Sequence, residues 1–431
     1  MAEILCLEAT SKVRRSIRIL LLSTYFRPDV ASTGVIMTKL AEEFVAKGHE
    51  VTVLTSVPRY DVNRVWPEYS RRLIYSERSG SVRLCRLFTY IDQDKANVFQ
   101  RILAYGSFNL LSILLGITIP RHDVILVPSP PLSNGIIVDM LGRVSRAPYV
   151  YNVQDIWPDV AVRAGVLKIP KWIRRLERLG KCVYRRATRL AVISDGFCSN
   201  LLTEGVPEEK IFVISNFVDT DFLIAQPRQN SFRARHGLDG RFAVFFAGNM
   251  GFSQGLAIVI DAAARLVDFP EIHFLMVGNG AGREPAERRL AKQGLGNVQF
   301  LPFQPHEGLP EMYGSADVCL VPFRRGFTME SVPCKMFSIM AAGKPAISAV
   351  DRGSETWSVL ERAECGLCVE REGAISMAHA MLHYDRDAQA RGEAGRNARG
   401  YVEAEFDPSV VAEKYLDVLQ SAMKGAPLSG V

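Results

Sequence analysis

The sequence predicts an α/β fold built from two doubly wound, Rossmann-like halves. Short apolar runs alternate with segments of helical periodicity from residue 17 to residue 423, which is the pattern of repeated βαβ units. The polar segment 217–240 interrupts this pattern, which restarts at Arg241. At 431 residues the chain is also too long for one ordinary hydrophobic core, so two or three domains are expected.

The composition is that of a folded globular protein, with 48% hydrophobic and 23% charged residues. The eight cysteines are scattered, and no N-terminal segment has the pattern of a secretory signal, which favours a reduced, cytoplasmic compartment. From the interruptions of the pattern we expect an N-terminal extension over 1–16, an N-terminal domain over 17–216, a linker over 217–240, a C-terminal domain over 241–405, and a final helix with its tail over 406–431.

The N-terminal half opens with a βαβ unit. The apolar run Ile17–Ser23 predicts a strand buried on both faces, and Glu50–Thr55 predicts the next strand. Between them, residues 27–34 predict a loop rich in small residues, and residues 35–47 predict a helix.

Polar and aromatic residues follow a later strand of the same half. The run Tyr149–Val153 predicts a strand that ends at Gln154, Asp155 and Trp157. Residues at such a position usually face a ligand cleft, so Asp155 is the best acidic candidate in this half. The alternative is that Asp155 caps the following loop.

Two glycine-rich loops follow strands in the C-terminal half. Gly248–Gly255 comes after the apolar run 241–247, and Gly278–Gly282 comes after the run 271–277. The second loop has glycines near the spacing of a dinucleotide fingerprint, but it lacks the acid about twenty residues further on, so NAD is not expected.

The stretch from residue 330 to residue 348 carries the chemistry of an anion site. Residues 338–342 predict a helix that Gly343 ends, and Pro333 suits a first helical turn. Free backbone N–H groups at a helix N-terminus attract a diphosphate, and Lys335 would add a full positive charge. Taken alone, the same stretch also fits a solvated carboxylate at Glu330 and a plain helix residue at Ser338.

These motifs, in this order, resemble those of the retaining family-4 glycosyltransferases. The resemblance is carried by Lys47-Gly-His-Glu-Val-Thr-Val-Leu-Thr55, by Gly248-Asn-x-Gly-x-x-Gln-Gly255, and by the seven-residue spacing from Glu330 to Ser338 before Gly343-x-Pro345. It covers roughly residues 17 to 423. It is closest to the exopolysaccharide and O-antigen subgroup of the colanic-acid, N-acetylfucosamine-transferase-like type.

The resemblance implies a fold and an activity. The fold is GT-B, in which two Rossmann-like domains face each other across a cleft and the last helix crosses back onto the first domain. The activity is retaining transfer of a hexosyl or N-acetylhexosaminyl group from a nucleoside-diphosphate-sugar to a lipid-linked or growing polysaccharide acceptor. No metal or other cofactor is expected, because the family stabilises the departing diphosphate with protein groups.

The resemblance also implies roles for individual residues. Asp155 and Glu330 occupy catalytic positions, and Gln154 and Trp157 lie on the acceptor side. The donor-binding positions are Gly34, Gly248, Asn249, Gly251, Gln254, Gly278, Gly280, Lys335 and Ser338.

The chain departs from the family pattern at four positions. Ser338 replaces the glutamate that holds the ribose hydroxyls, and a hydroxyl offers no charged, two-oxygen acceptor. Phe252 and Gln254 stand in the loop where many members of the family carry an arginine and a lysine, and the subgroup normally has a base at position 252. Gln154 stands where a histidine is common. Lys335, Arg324 or Arg325 are the candidates to compensate. Two alternatives therefore stay open: a non-catalytic nucleotide-sugar-binding protein, and a sugar-nucleotide 2-epimerase on the same fold.

Two segments of the N-terminal half suggest a membrane surface as a partner. Residues 102–119 carry no charge, but polar residues dilute them, so we expect an interfacial or buried helix rather than a membrane span. Residues 171–189 hold eight bases and one acid on an amphipathic pattern, which suits anionic lipid or a plain solvated face. No nucleic-acid-binding signature accompanies them. The expected location is the cytoplasmic, inner face of the cell membrane, with peripheral attachment.

Overall fold

The computed structural model describes residues 15–29, 31–59, 66–91, 98–116, 118–159, 162, 167, 169–324, 327, 333–370 and 373–425. The chain separates into two compact units, with divisions between Leu190 and Ala191 and between Asp417 and Val418. The first division falls inside a strand.

The first sheet has eight strands in the order β3-β4-β2-β1-β5-β6-β7-β8. Strand β1 pairs in parallel with β2 and β5, and only the edge strand β3 is antiparallel among the pairs with defined register. The central strands are buried along their whole length, as the continuous apolar runs predict. The strands are β1 (Arg18–Leu22), β2 (Glu50–Ser56), β3 (Ile74–Ser79), β4 (Val82–Leu87), β5 (Val124–Pro128), β6 (Tyr149–Val153), β7 (Arg189–Val192) and β8 (Ile211–Val213).

Helices accompany this sheet, and α3 packs against both α2 and α4. They are α1 (Ser32–Ala46), α2 (Val98–Gly116), α3 (Asn134–Ser145), α4 (Pro170–Arg186) and α5 (Asp195–Thr203). In the described part of the chain, no helix is both long enough and apolar enough to cross a membrane.

The second sheet has six strands, all parallel, in the order β11-β10-β9-β12-β13-β14. This is the strand order of a dinucleotide-binding Rossmann sheet, with its topological switch point between β9 and β12. The strands are β9 (Phe242–Ala247), β10 (Ile272–Val277), β11 (Val298–Leu301), β12 (Val318–Pro322), β13 (Ala346–Ala349) and β14 (Gly366–Val369).

The helices that follow are mostly connections between these parallel strands. They are α6 (Ser231–Arg235), α7 (Leu256–Ala264), α8 (Arg283–Gln293), α9 (Leu309–Gly314), α10 (Cys334–Ala341), α11 (Glu355–Arg362), α12 (Ala374–Arg386), α13 (Ala388–Glu405) and α14 (Pro408–Gly425). Successive residues of β9 pack on opposite faces of the sheet, so that Phe245 lies in one apolar cluster and Phe246 in the other.

The structure corrects several local expectations. The hairpin of β3 and β4 was not expected, because the alternating exposure of β3 leaves no apolar run to detect. Helix α10 begins at Cys334 rather than at Ser338, with Pro333 in an extended conformation just before it. Residues Gly366–Val369 form strand β14, which was not singled out from the sequence. Gly343 does end α10, in a left-handed conformation (φ 66°).

The segment expected as an irregular linker, 217–240, contains helix α6. Its Arg233 side chain is fully buried and donates hydrogen bonds to the carbonyl oxygen of Ser315 (2.6 Å) and to Oδ2 of Asp317 (3.2 Å). A buried guanidinium needs such partners, and they tie this segment to the residues just before β12.

Candidate active site

The two glycine loops predicted to bind the donor lie against each other at the carboxyl edge of the second sheet. Gly248 follows β9 and Gly278 follows β10, with φ values of 128° and 137° that disfavour any other residue. A Cβ on Gly278 would lie 1.9 Å from the carbonyl oxygen of Gly248, so the two backbones touch. The amide of Met250 donates to the carbonyl of Asn279 (2.8 Å) and completes this contact.

The remaining donor-loop residues surround that contact. Gly280 has a φ of 146°, and a Cβ there would lie 2.7 Å from Oδ1 of Asn249. A Cβ on Gly251 would lie 3.2 Å from Nδ2 of the same asparagine. Asn249 itself is exposed. The turn therefore presents the amide side chain of Asn249 to solvent.

Lys335 lies beside these loops. Its ammonium donates a hydrogen bond to Oε1 of Gln254 (2.6 Å) and lies 4.0 Å from the ring centre of Phe246. A Cβ on Gly248 would lie 3.7 Å from the same Nζ atom. Burial lowers the pKa of Lys335 from 10.5 to about 7, because an ammonium is poorly solvated there. An anion bound at the loop would favour the charged form again.

The loop between β9 and α7 is fastened to the end of β12. Gln254 forms an isolated β-bridge with Phe323, and the amide of Arg324 donates to the carbonyl of Ser253 (2.8 Å). The Arg324 side chain donates to the carbonyl of Phe252 (3.3 Å), and its guanidinium lies 5.0 Å from the ring centre of that residue. Phe252 is 71% exposed. Arg324 therefore brings a guanidinium next to position 252, where the subgroup normally has a base. Arg325 lies outside the described residues.

Ser338 follows Lys335 by three residues on α10, so both side chains belong to one side of that helix. Its hydroxyl lies 3.5 Å from the carbonyl oxygen of Cys334, one turn earlier in its own helix. The hydroxyl remains able to bond to a ligand, since this bond is at the limit of length. Glu330, the other predicted residue of this motif, lies outside the described residues.

In the first unit, Gly34 is the third residue of α1 and not the end of a loop, because the helix begins at Ser32. A Cβ on Gly34 would lie 3.1 Å from Cβ of Tyr25 and 3.2 Å from its carbonyl carbon. The backbone after β1 therefore passes directly over this first helical turn. The amide of Arg27 also donates to Oγ1 of Thr38 (3.0 Å), which holds the same loop to α1.

Asp155 and its neighbours lie at the carboxyl end of β6. Asp155 is half-buried, and burial raises its pKa from 3.8 to about 6. The amide of Gln154 donates to Oγ of Ser129 (3.1 Å), and its Nε2 donates to Oδ1 of Asn152 (2.7 Å). Trp157 is half-buried, and its indole N–H has no hydrogen-bond partner among the described residues.

Further polar residues, not singled out from the sequence, lie at the carboxyl edge of the first sheet. Ser129 and Asn152, which bond to Gln154, are buried. Asn134 is also buried, and its Nδ2 lies 3.4 Å from Oγ1 of Thr24. Thr24 and Ser129 follow β1 and β5, Asn152 lies near the end of β6, and Asn134 begins α3, so the switch point between β1 and β5 brings these elements together. The signal available beforehand was a polar residue at the last positions of otherwise apolar strands.

Two family models match the chain. The model of the glycosyl transferases group 1 matches residues 228–401, and that of the glycosyl transferase 4-like domain matches residues 33–216. Together they cover more than half of the chain. The first corresponds to the sheet that carries the glycine loops, and the second covers most of the sheet that carries Asp155.

Individual proteins show the same similarity over almost the whole length. The colanic acid biosynthesis glycosyl transferase WcaI of Escherichia coli (strain K12) is 27% identical over 93% of this chain and 99% of its own. The sucrose-phosphate synthase of Thermosynechococcus elongatus superposes with a TM-score of 0.70 at 18% identity, covering 94% and 99% of the two chains. HepE of Anabaena, in complex with UDP, gives 0.69 at 16% identity, covering 94% and 100%.

The two sheets are parallel except for the edge strand β3, and each has loops at its switch point. Together with the family matches, they define a glycosyltransferase of the GT-B class. Within that class, the chain belongs to the family-4-like glycosyltransferases, in the subgroup of the colanic-acid type. The predicted fold class and family are therefore confirmed.

Proposed function

We propose that the protein is a retaining glycosyltransferase of exopolysaccharide or O-antigen biosynthesis. It transfers a hexosyl or N-acetylhexosaminyl group from a nucleoside-diphosphate-sugar to a lipid-linked or growing polysaccharide acceptor. The observation that carries the proposal is the position of Lys335, whose ammonium lies against Gln254 and Gly248 at the switch point of a Rossmann sheet. Similar proteins support it: WcaI is named as a colanic acid biosynthesis glycosyl transferase, and HepE was crystallised with UDP and with UDP-glucose.

The geometry suits stabilisation of a departing diphosphate. The Gly248 and Gly278 loops lie beside the ammonium of Lys335, and Arg324 adds a guanidinium on the outer side of the first loop. Fixed dipoles and charges of this kind stabilise charge that develops in a transition state. In a retaining, front-face displacement the bond between the anomeric carbon and the diphosphate breaks. The acceptor oxygen then bonds to the same face of that carbon, and its proton passes to the leaving phosphate. The proposal requires no metal.

Asp155 has a different part in this proposal. Its carboxyl group is half-buried at the end of β6, on the sheet predicted to bind the acceptor. A carboxylate there can accept a hydrogen bond from a sugar hydroxyl. Burial raises the pKa of Asp155 to about 6, because its ionised form is poorly solvated there. Gln154 and Trp157 are proposed to contact the acceptor beside it.

The test is release of a nucleoside diphosphate from a panel of sugar nucleotides in the presence of polyprenyl-linked acceptors. Lys335→Met removes the charge and keeps most of the volume, so we expect turnover to fall roughly 100-fold or more, as for a lost transition-state contact. Lys292→Met, at an exposed position of α8, is the matched control. Equal activity of the two variants, or no turnover by the native protein with any donor, would sink the proposal.

A second candidate is a nucleotide-sugar-binding protein without catalysis, favoured by one observation. At position 338 the family has a carboxylate, whereas here the Ser338 hydroxyl lies 3.5 Å from the Cys334 carbonyl oxygen of its own helix. Calorimetry separates the candidates: binding of a nucleoside diphosphate without turnover supports the second. Restoration of turnover by Ser338→Glu would show that the chemistry needs only that carboxylate.

We also propose that the protein works at the cytoplasmic face of the membrane as a peripheral protein. A polyprenyl-linked acceptor stays in the bilayer, so the enzyme must come to it. The exposed bases of α4, among them Lys171, Arg174, Arg175 and Arg178, provide attraction to anionic lipid, each worth about 1 kcal/mol near the surface. Such attachment weakens at high salt, and sedimentation with anionic vesicles at two salt concentrations tests it.

A further inference from the structure

Helix α2 exposes a stripe of leucines to solvent. Leu103, Leu110 and Leu114 are 39%, 59% and 58% exposed, and their spacing puts them on one side of the helix. Ala104 and Phe108 are buried on the opposite side. The helix is therefore apolar both toward the protein and away from it, which is unusual for a helix that faces only water.

Helix α3 carries a second stripe of the same kind. Ile136, Met140 and Val144 follow each other at four-residue intervals and are 40%, 44% and 58% exposed. Val138 and Leu141, on other sides of the helix, are buried. The uncharged segment of α2 was recognisable in the sequence, but this stripe was not. Six of the twelve residues of α3 are apolar, and such a composition fits a buried helix as well as an exposed one.

The two helices and α4 are packed side by side at glycines. A Cβ on Gly116, at the end of α2, would lie 2.4 Å from the side chain of Leu141 in α3. A Cβ on Gly135, at the start of α3, would lie 2.3 Å from the side chain of Val183 in α4. These close approaches make α3 the middle helix of one layer, with its exposed stripe between its two neighbours.

Helix α4 places one of its bases, Arg186, next to α3. Asp139 of α3 accepts a hydrogen bond from Arg186 of α4 (3.0 Å). It also forms an ion pair with Arg143 of its own helix (3.3 Å). The exposed bases Lys171, Arg174, Arg175 and Arg178 continue along the outer side of α4. At the N-terminal end of α4, Trp172 is 51% exposed and lies 5.0 Å from the guanidinium of Arg175.

We propose that the outer faces of α2, α3 and α4, here called the α2–α4 surface, dock on a bilayer leaflet that contains anionic lipid. The apolar stripes would enter the boundary between headgroups and acyl chains, and the adjacent bases would pair with lipid phosphates. Charge complementarity favours a bilayer over a second copy of the chain, because two copies meeting at this surface would bring like charges together. The proposal rests on the lipid-linked acceptor proposed above and assigns the surface that reaches it.

The experiment is flotation of the full-length chain with vesicles of neutral lipid alone and of neutral lipid mixed with anionic lipid. In the charge variant, Arg174, Arg175 and Arg178 become Gln, and we expect binding to anionic vesicles to fall roughly 100-fold, about fivefold for each charge. In the apolar variant, Leu110, Leu114, Met140 and Val144 become Gln, and we expect binding to be lost at low and high salt alike.

Matched controls change equally exposed residues of the second unit. Lys292, Arg386 and Arg396 become Gln as the control for the charge variant. Ile224, Val267, Phe303 and Ile375 become Gln as the control for the apolar variant. We expect both controls to bind vesicles like the native chain. Thermal melting of every variant excludes loss of fold as the reason for lost binding.

Several outcomes would overturn the proposal. Equal binding to neutral and anionic vesicles, or no binding to either, excludes this surface as an anionic-lipid site. A dimer without lipid that the apolar variant dissociates would show that a second copy occupies the surface. Hydrolysis of a soluble sugar nucleotide is measured in parallel: if it persists while vesicle binding fails, the docking proposal fails alone, and if it is absent while vesicles bind, the proposed enzyme activity fails alone.

Discussion

The ammonium of Lys335 donates a 2.6 Å hydrogen bond to Oε1 of Gln254, a residue 81 positions earlier in the chain. This bond joins the start of α10 to the loop after β9, on either side of the switch point of the second sheet. It also places a partly desolvated positive charge next to two glycines whose backbones are in direct contact. The predictions below follow from this arrangement and from its counterpart around Asp155.

Binding of a nucleoside diphosphate should weaken as the pH rises above about 7. Burial places the pKa of Lys335 at about 7, so above that pH the ligand-free protein must take up a proton to bind the anion. Calorimetry across this range measures the slope. Lys335→Arg keeps its charge at every pH and should give a flatter profile; identical slopes for the two proteins would contradict the assignment.

The same shift affects stability in a defined direction. An unfolded lysine titrates near 10.5, so between about 7 and 10.5 the unfolded chain binds a proton that the folded chain lacks. The contribution of Lys335 to stability is therefore present above 10.5 and is lost as the pH falls through about 7. Denaturant unfolding measures this effect. The free energy of unfolding of the native protein should rise relative to that of Lys335→Met as the pH is raised from about 7 to 10.5.

Gly278→Ala should disrupt the donor loops. The new Cβ would lie 1.9 Å from the Gly248 carbonyl oxygen at a φ of 137°, so the loops must separate. We expect a loss of about 1–3 kcal/mol in the free energy of unfolding and loss of donor binding. Gly296→Ala is the control, since no atom lies within 4 Å of its Cβ position. Unchanged donor binding in Gly278→Ala would show that the loop contact is not needed.

Asp155→Asn should stabilise the protein while reducing transfer. Burial raises the pKa of Asp155 to about 6, so at pH 7 its charged form costs folding free energy that an amide does not. We expect a gain of about 1 kcal/mol at neutral pH, after allowance for partial exposure, and a smaller gain at pH values below the unfolded pKa of 3.8. Denaturant unfolding at both pH values measures it, with exposed Asp268→Asn as the control. A destabilised variant would refute the role of burial.

Arg324→Ala should weaken diphosphate binding about tenfold, because a charged hydrogen-bond donor is removed from the loop. Phe252→Lys in the same background should recover affinity, since it restores a base at the position that Arg324 covers. Arg235→Ala is the matched control: its guanidinium also stacks on an aromatic ring, that of Phe232, at 5.9 Å. Equal affinities of the two alanine variants would remove Arg324 from the donor site.

The sequence by itself determined the class of the protein. The alternation of apolar runs and helical segments is a local property, and it specified nearly every parallel strand to within a few residues, for example Tyr149–Val153 and Phe242–Ala247. The glycines at 248, 278 and 280 were also readable in advance, because each follows a strand where only a glycine tolerates the required conformation. The family and its GT-B fold followed from the order of these motifs.

Only the tertiary structure decided which side chains act together. The contacts of Lys335 with Gln254 and of Arg324 with Phe252 depend on strand order. Strands β9 and β12 are neighbours in the sheet, although the first pair of residues is 81 positions apart in the chain and the second pair 72. The α2–α4 surface likewise depends on which side of each helix is covered by its neighbours. Hydrophobic patterning gives the period of a helix but not its partners, so an exposed apolar stripe and a buried one look alike until the helices are packed.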